Sequence, residues 1–196
     1  MKKLLLLITL ISLPSYAAVS ANVSFASDYI WRGMTQSDGP AIQGGFDYEA
    51  DGGFYAGIWG SNVNFNDGAG SELDYYFGYA FEAGSIGVDL GYIAYDYPQN
   101  KTGLDFEEVY IGLSMGDLGL TFAMGQDGAP DYTEISYGIG DFGFSYGQYD
   151  DYGDNFSLSY GFGCGSYDCS VAYYDFMDDG YGGDEDAIVF SISASL

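Results

Sequence analysis

Histidine is absent from the chain, and this absence bears directly on enzymatic activity. Serine hydrolysis and acyl transfer generally depend on a histidine that moves protons to and from the reacting groups. Two carboxylates can perform acid–base chemistry without histidine, but among 29 acidic residues no pair is distinguished from the general excess. We therefore expect no enzymatic activity, no catalytic residue and no cofactor.

Basic residues are almost as scarce, with 4 lysines and arginines against 29 acidic residues and a formal net charge of −25. Lys2 and Lys3 stand at the N-terminus, Lys101 lies in a loop-like stretch, and Arg32 follows Trp31 in "DYIWRGM". So acidic a surface repels nucleic acid, and no basic stripe is present to bind it. We expect no nucleic-acid partner, and the retention of Arg32 requires an explanation.

Long apolar runs are missing beyond the N-terminal segment. That segment has two lysines, an apolar run over 4–13 and small residues up to Ala17. This order is typical of a secretory signal peptide, and the run is shorter than the ~20 residues that a membrane-spanning helix needs. The pattern predicts a signal peptide over 1–17 and an exported domain over 18–196 with a formal charge of 2 − 29 = −27. An uncleaved N-terminal anchor is the alternative.

Aromatic residues and glycine are abundant instead, with 21 Tyr, 14 Phe and 31 Gly. Glycine and tyrosine lower helix stability relative to alanine or leucine, whereas tyrosine and phenylalanine favour strands. The stretch "ELDYYFGYAF" alternates strictly, placing Leu73 and Phe77 on one face and Asp74 and Gly78 on the other. This period-two pattern predicts a strand with two different faces.

Twelve segments show such alternation, and the connections between them differ in length. Short turns such as 49–52 and 116–117 alternate with longer polar loops such as 63–71 and 96–105. This arrangement, with an even number of strands and both termini on the periplasmic side, is typical of outer-membrane barrels. The predicted strands are 22–32, 41–49, 53–62, 72–82, 86–95, 106–115, 118–125, 132–139, 142–149, 154–163, 169–176 and 187–196.

Alternation alone does not distinguish a membrane barrel from a soluble β-protein, because both have one apolar and one polar face. Tyr and Phe near the segment ends resemble an aromatic girdle, and the Gly- and Ser-rich opposite face suits a lumen. The last segment alternates up to Leu196, as outer-membrane assembly signals do, although those usually end in Phe. We therefore expect an all-β fold, a transmembrane antiparallel β-barrel of about 12 strands in the cell outer membrane. A secreted soluble β-protein is the alternative.

The two cysteines, Cys164 and Cys169, lie close together in "CGSYDC". In an exported chain such a pair indicates a disulfide, which would close a small loop across a turn on the predicted periplasmic side. Two thiols without histidine rarely form a zinc site. We expect a disulfide bond and no metal site.

Two predicted loops, 150–155 and 177–186, concentrate carboxylates and glycine. Oxygen ligands of this kind suit Ca²⁺ and Mg²⁺, but the spacing of an EF-hand loop is absent. The pattern favours a solvated acidic rim that binds these ions diffusely. We hypothesise that the bound ions bridge the rim to the phosphates of neighbouring lipopolysaccharide.

The strand register predicts which polar side chains point into the lumen. If the apolar residues face lipid, the opposite face points inward; the first strand would then send Tyr29 and Trp31 out and Arg32 in. A buried guanidinium needs carboxylate partners, and an acidic lumen favours cations or neutral solutes over anions. The third strand is ambiguous, with Tyr55 and Trp59 on the lumen side in one register. The predicted lumen and constriction residues are Asp28, Arg32, Glu72, Asp74, Asp89, Glu108, Tyr110 and Glu134.

Five stretches of the chain form a recognisable series, namely "SDYIWRGMTQSDGPAIQGGFDYE", "GFYAGIWGSNVNF", "ELDYYFGY", "YDYPQ" and "EEVYIGLS", in that order. Together they resemble the TorF-type porin family of proteobacteria. The resemblance runs from about Asn22 to the C-terminus and implies an outer-membrane barrel with a transport role. It implies no defined substrate and no site residues. The positions that carry the Ser-x-Tyr-x-x-Arg-Gly block are Ser27, Tyr29, Arg32, Gly33, Pro40 and Gly44.

Two functions follow from these patterns. The first is a porin-like channel for passive diffusion of small solutes, which is cation-leaning or neutral. The second is a non-conducting structural or surface-interaction barrel with acidic, ion-binding loops. In both cases the expected partners are outer-membrane lipid and lipopolysaccharide. A barrel of this size leaves room for a narrow channel, because eight strands enclose a filled interior and sixteen an open one.

Overall fold

The structure, a computed structural model, describes residues 18–99, 103–180 and 182–195. The predicted signal peptide, Lys101 and Leu196 lie outside the described residues. Among the residues described, every regular element is a strand. No helix in this part of the chain is long and apolar enough to cross a membrane. The strands are β1 Ala18–Ala26, β2 Ile30–Trp31, β3 Met34–Thr35, β4 Ala41–Glu49, β5 Phe54–Asn62, β6 Ser71–Ala83, β7 Ile86–Asp96, β8 Phe106–Met115, β9 Leu118–Gly125, β10 Tyr132–Ile139, β11 Phe142–Tyr149, β12 Gly153–Cys164, β13 Tyr167–Asp178 and β14 Glu185–Ser195.

The strands form a closed antiparallel barrel. Each strand from β4 to β14 pairs with the next along the chain, and β1 joins the two ends by pairing with both β4 and β14. In the closing seam Phe25 lies opposite Ile192 on one side and opposite Ile42 on the other. The hairpin β2–β3 stands apart as a separate two-stranded sheet. The predicted all-β barrel of about 12 strands is therefore confirmed, and closure leaves no unpaired edge.

The wall has an apolar outer face and a polar inner face. Strand β6 shows the division, because Tyr75 and Phe77 are 46% and 51% exposed while Glu72 and Asp74 are 3% and 5% exposed. The same alternation continues around the barrel, so its exposed surface carries mainly Phe, Tyr, Ile, Leu and Val. Alternating side chains point to opposite sides of a strand, which explains why the sequence period identified the outer face.

The connections divide the barrel into two ends. Short turns, such as those between β6 and β7 and between β8 and β9, lie at the same end as the first and last described residues. We call this the turn end. The longer connections, including those after β5 and β7, lie at the opposite end, which we call the loop end.

The first strand differs from its prediction. The alternation predicts a strand over 22–32, but β1 begins at Ala18 and ends at Ala26. Residues 27–40 then leave the wall and turn into the barrel, and we call them the inserted segment. As a result Tyr29 is buried rather than lipid-facing, and Trp31 packs against rings of the inner wall. The predicted outward orientation of both residues was wrong.

The predicted disulfide is confirmed between Cys164 and Cys169, whose Cα atoms are 5.9 Å apart. It links the adjacent strands β12 and β13 close to the turn end. The turn between them is shorter than predicted, because β12 continues to Cys164 and β13 already begins at Tyr167.

Candidate functional site

The inserted segment is held at its base by backbone and side-chain hydrogen bonds to the wall. Ser27 N donates to Phe190 O at 2.9 Å, and Phe190 N donates to Ser27 Oγ at 3.0 Å. Within the inserted segment, the carboxylate of Asp28 accepts hydrogen bonds from Thr35 Oγ1 at 2.8 Å and Ser37 Oγ at 2.9 Å. Asp28 therefore shapes the segment from within, and its carboxylate is engaged by the segment's own hydroxyl groups.

The tip of the segment is the hairpin β2–β3, with Arg32 and Gly33 at its turn. Arg32 has a φ of 49° and Gly33 a φ of 85°. Two successive residues with positive φ are typical of the tight turns that join twisted hairpin strands. Gly33 also lies against the inner wall, where an added Cβ would come within 2.8 Å of Asn155 Cβ and 3.1 Å of Phe176 Cβ. The sequence Arg-Gly therefore allows both the turn and its close approach to the wall.

Arg32 binds the far wall through a two-pronged ion pair. Its two terminal nitrogens, Nη1 and Nη2, donate to Glu108 Oε1 and Oε2, each at 2.7 Å. The side chains of Arg32 and Glu108 are 8% and 2% exposed, so the ion pair is almost completely shielded from water. Glu108 belongs to β8, five steps from β1 around the ring of strands. The hairpin thus crosses the lumen near the loop end and is fixed on the opposite side.

Aromatic rings surround the guanidinium. Arg32 Cζ lies 4.2 Å from the ring centre of Trp31, 4.1 Å from that of Tyr132 and 4.7 Å from that of Tyr149. Cations are attracted to the faces of such rings, most strongly when water is excluded. Burial alone would lower the pKa of Arg32, but the hydrogen bonds to Glu108, together with the charge of Glu108 and the nearby Tyr95 and Tyr149, outweigh burial and raise the pKa. The guanidinium remains charged in this setting.

Trp31, next to Arg32 in the hairpin, also packs against aromatic rings of the wall. Its ring meets Tyr95 at 5.7 Å, Phe106 at 5.8 Å and Tyr149 at 5.5 Å between centroids, in edge-to-face geometry each time. Edge-to-face aromatic pairs stabilise beyond the area that they bury, by about 0.5–1.5 kcal/mol each. The hairpin is therefore attached to the wall by packing as well as by charge.

Glu72 and Asp74 form a second group on β6, separate from Arg32. Tyr29 Oη donates to Glu72 Oε1 at 2.9 Å, which ties the base of the inserted segment to this strand. Burial, and then the negative charge of Glu72, raise the pKa of Tyr29 well above its usual value, so its hydroxyl keeps its proton. Both are among the carboxylates of the predicted lumen and constriction residues, but neither is bonded to Arg32, whose partner is Glu108.

Glu134 is connected to Arg32 only indirectly, through Tyr132. Tyr132 Oη donates to Glu134 Oε2 at 2.9 Å, and the ring of Tyr132 contacts the guanidinium. The only direct carboxylate partner of Arg32 among the described residues is therefore Glu108, with Glu134 contributing through Tyr132.

Asp89 and Tyr110 lie deeper, toward the turn end. Tyr55 Oη donates to Asp89 Oδ1 at 2.6 Å and also contacts Tyr110 Oη. A further tyrosine–carboxylate pair joins Tyr76 to Asp47. The structure thus places Tyr55 on the lumen side, one of the two orientations left open by the sequence.

Glycines on neighbouring strands make room for these tyrosines. A Cβ at Gly91 would come within 2.2 Å of Tyr110 Cζ, and a Cβ at Gly78 would come within 2.2 Å of Tyr55 Oη. Each ring therefore lies along the wall, over the missing side chain of the next strand, instead of projecting across the lumen. The arrangement lets bulky residues face the interior of the barrel while they stay close to its wall.

The opposite side of the lumen is lined by small residues. Ser145 and Ser157 share a hydrogen bond of 2.7 Å, and Ser170 and Ser191 share one of 2.6 Å. Ser157 and Ser170 are only half-buried. Toward the turn end the interior is therefore polar, with half-buried serines along β12 and β13.

The acidic loop after β13 is shaped by hydrogen bonds to its own carboxylates. Asp178 accepts hydrogen bonds from Gly180 N at 2.8 Å and Gly182 N at 3.0 Å, and Asp184 accepts one from Asp178 N at 3.0 Å. Across the described ranges, no group of three or more acidic or cysteine side chains is arranged to hold a metal ion. Diffuse binding of Ca²⁺ or Mg²⁺ to the acidic loops stays a prediction.

Sequence reasoning missed the aromatic surroundings of Arg32. Tyr132 lies in the same register as Glu134, and Tyr95 in the same register as Asp89, so the predicted inner face already contained them. The strand register does not indicate how deeply the inserted segment reaches into the barrel, so it does not show which inner-face rings contact Arg32.

The arrangement as a whole is a polar, acidic tube whose loop end is crossed by a fixed hairpin. A search among curated proteins finds no significant match. A family model described as "Bacterial protein of unknown function (Gcw_chp)" matches residues 13–128. This region holds the inserted segment, Glu72, Asp74 and Glu108, and it covers more than half of the chain. The chain therefore belongs to the Gcw_chp family of bacterial proteins.

Proposed function

We propose that the protein is an outer-membrane channel for passive diffusion of small solutes, cation-leaning, with a mouth narrowed by the inserted segment. The observation that carries this proposal is the inside-out polarity of the barrel. Aromatic and aliphatic side chains cover the outside, while carboxylates, serines and tyrosine hydroxyls line the inside. A water-filled lumen within an apolar belt has this polarity, whereas a soluble barrel has the reverse.

Several observations support a membrane location. The exposed outer face includes aromatic residues near the turn end, among them Phe54, Phe81, Phe142 and Tyr167. Aromatic girdles of this kind lie at membrane–water interfaces. Export by the N-terminal signal and contact with lipopolysaccharide belong to the same proposal, as does the transport role implied by the TorF-type porin resemblance. Fractionation of cells expressing the full chain should place it in the outer membrane, and recovery in the soluble periplasm would contradict the location.

The charge of the lumen supports a preference for cations. Arg32 is the only basic residue in the described part of the chain, and Glu108 neutralises it. Asp47, Asp89 and Glu134 face the same interior without a basic partner. A pore lined by carboxylates lowers the energy of cations within it and raises that of anions.

The deciding experiment is conductance of purified protein in planar lipid bilayers. We expect small, discrete single-channel steps at neutral pH in 1 M KCl, because the hairpin leaves a restricted opening. A folded, heat-modifiable barrel that inserts into the bilayer but gives no steps would overturn the channel proposal.

A non-conducting barrel is the second candidate, and one observation favours it. The hairpin crosses the mouth and its ion pair is nearly dry, with Glu108 only 1% exposed. If the hairpin closes the loop end of the barrel completely, wild-type protein would show no single-channel steps in the bilayer, whereas the Arg32→Ala variant would conduct. Silence of both proteins would favour a structural or surface-interaction role.

A further inference from the structure

Two carboxylates on β6, those of Glu72 and Asp74, are buried with too few hydrogen-bond partners. Glu72 is 3% exposed and Asp74 is 5% exposed, and both point into the lumen from alternate positions of one strand. Glu72 Oε2 and Asp74 Oδ1 receive no hydrogen bond. Buried polar atoms are nearly always paired, and buried charges more strictly still. Either bound protons or a bound cation must therefore neutralise the pair.

No basic side chain of the described residues supplies a compensating positive charge. Arg32 is their only cation, and both of its terminal nitrogens bind Glu108. The donors that reach the pair among the described residues are neutral: the hydroxyl of Tyr29 bonds Glu72 Oε1 at 2.9 Å, and the hydroxyl of Tyr97 also interacts with Glu72. Neutral donors leave the charges of two ionised carboxylates uncompensated, and an uncompensated buried charge costs stability.

The neighbourhood offers oxygen atoms and no nitrogen or sulfur ligands. Ser61 lies opposite Glu72 in the strand register, and the hydroxyl of Tyr29 is already in contact. Trp59 lies opposite Asp74, and its ring meets that of Tyr29 at 5.3 Å between centroids. Carboxylate and hydroxyl oxygens are the ligands of hard cations such as Ca²⁺ and Mg²⁺, and Mg²⁺ in particular is often held by one or two carboxylates.

We propose that Glu72 and Asp74 bind one divalent metal cation, at the junction of β6 with the inserted segment. A divalent ion neutralises both carboxylates at once, whereas a single shared proton leaves one charge. Because Tyr29 of the inserted segment contacts Glu72, the bound ion also stabilises the docked position of that segment. The site does not depend on conduction, so a silent barrel would not contradict it.

The test uses Tb³⁺ as a luminescent substitute for Ca²⁺ on the folded, detergent-solubilised full chain. Excitation of Trp59 and Tyr29 should sensitise Tb³⁺ emission, and Ca²⁺ should displace it. The double variant Glu72→Gln/Asp74→Asn should lose the Ca²⁺-displaceable signal or bind at least tenfold more weakly. The matched control Asp89→Asn removes a lumen carboxylate that Tyr55 already satisfies, and it should bind as wild type does.

Melting temperature provides a second readout that separates this site from the acidic loops. Wild type and the loop variant Asp179→Asn should both melt at lower temperature in EDTA than in Ca²⁺, while the double variant should melt equally in both. Equal Tb³⁺ binding by wild type and double variant would overturn the proposal. So would melting that responds to acid but not to Ca²⁺, because protons would then neutralise the pair. Ca²⁺-displaceable binding that appears only in a Lys101→Ala variant would identify Lys101 as the counter-charge and would overturn it too.

Discussion

Arg32 and Glu108 are joined across the lumen by two hydrogen bonds of 2.7 Å, although Arg32 lies at the tip of the hairpin that follows β1 and Glu108 lies on β8, five steps from β1 in the ring. The pair explains why so acidic a chain retains an arginine at this position. A guanidinium matches a carboxylate at two points, which a lysine ammonium cannot do. The arginine fixes the tip of the hairpin at a single place on the far wall.

Replacing Arg32 by alanine should release the hairpin. Glu108 would then be a buried charge without its partner, which costs about 3–5 kcal/mol. We expect lower stability toward denaturant and larger or more frequent single-channel steps in bilayers. Arg32→Lys should give an intermediate result in both measurements.

The double variant Arg32→Ala/Glu108→Ala serves as the control, because it removes the pair together. It should be more stable than the sum of the single changes predicts, since no buried charge is left uncompensated. Additive losses of stability would show that the two side chains act independently, contrary to their geometry.

Gly33→Ala should loosen the same contact without changing any charge. The left-handed backbone at Gly33 disfavours a side chain, and the new Cβ would lie within 2.8 Å of Asn155 Cβ. Gly84→Ala is the matched control, because Gly84 has a φ of 70° but nothing within 4 Å of an added Cβ. We expect the control to lose about 1–3 kcal/mol from backbone strain alone. Only Gly33→Ala should also alter conductance.

Gly91→Ala should narrow the proposed channel. The added methyl group would collide with the ring of Tyr110 and push it away from the wall, toward the lumen. We expect a smaller single-channel current in the same salt. Gly138→Ala, whose Cβ would meet its nearest neighbour only at 4.0 Å, should leave the current unchanged. A decrease in both variants would mean that the current is not set by Tyr110.

Ion selectivity follows from the lumen carboxylates. In a KCl gradient the reversal potential should have the sign of cation preference, and Asp89→Asn with Glu134→Gln should reduce its magnitude. Anion preference in the wild type would contradict the charge assignment of the lumen. An acidic loop variant such as Asp179→Asn should change the reversal potential less, because its charge lies outside the lumen and is screened by salt.

Loss of the disulfide should lower stability and leave conductance intact. Cys164 and Cys169 are five residues apart, and closing so short a loop contributes about 2 kcal/mol by loop-closure entropy. Melting of the Cys164→Ser/Cys169→Ser variant should therefore shift down and become insensitive to reductant. Changed single-channel currents would show that the bond affects the lumen as well as the outer wall.

The strands and their faces were predictable because the apolar outer surface of the barrel carries an apolar residue at every second position of each strand. The predicted bounds 41–49, 106–115, 118–125, 132–139 and 142–149 match the structure residue for residue. The inward orientation of Glu72, Glu108 and Glu134 followed from the same period.

The inserted segment was not predictable by that reasoning, because its aromatic residues continue the alternation of β1. Tyr29 and Trp31 occupy the positions that outward residues would take, yet they pack against the inner wall. The feature that distinguishes them is backbone geometry, since Arg32 and Gly33 have positive φ. A dipeptide Arg-Gly gives a weaker turn signal than Asn-Gly. The pairing of Arg32 with Glu108 rather than Glu72 or Asp74 depends on that turn.

The hairpin also constrains the order in which the barrel assembles. Its contacts join residues far apart in the chain, with separations of 76 for Arg32–Glu108, 150 for Thr35–Glu185 and 163 for Ser27–Phe190. The contacts of the inserted segment with Glu185 and Phe190 can form only after the last strand has joined the wall. We therefore expect the hairpin to dock late in folding, and interactions formed that late chiefly slow unfolding. The ion pair at Arg32 should then act on the lifetime of the finished barrel more than on its rate of formation.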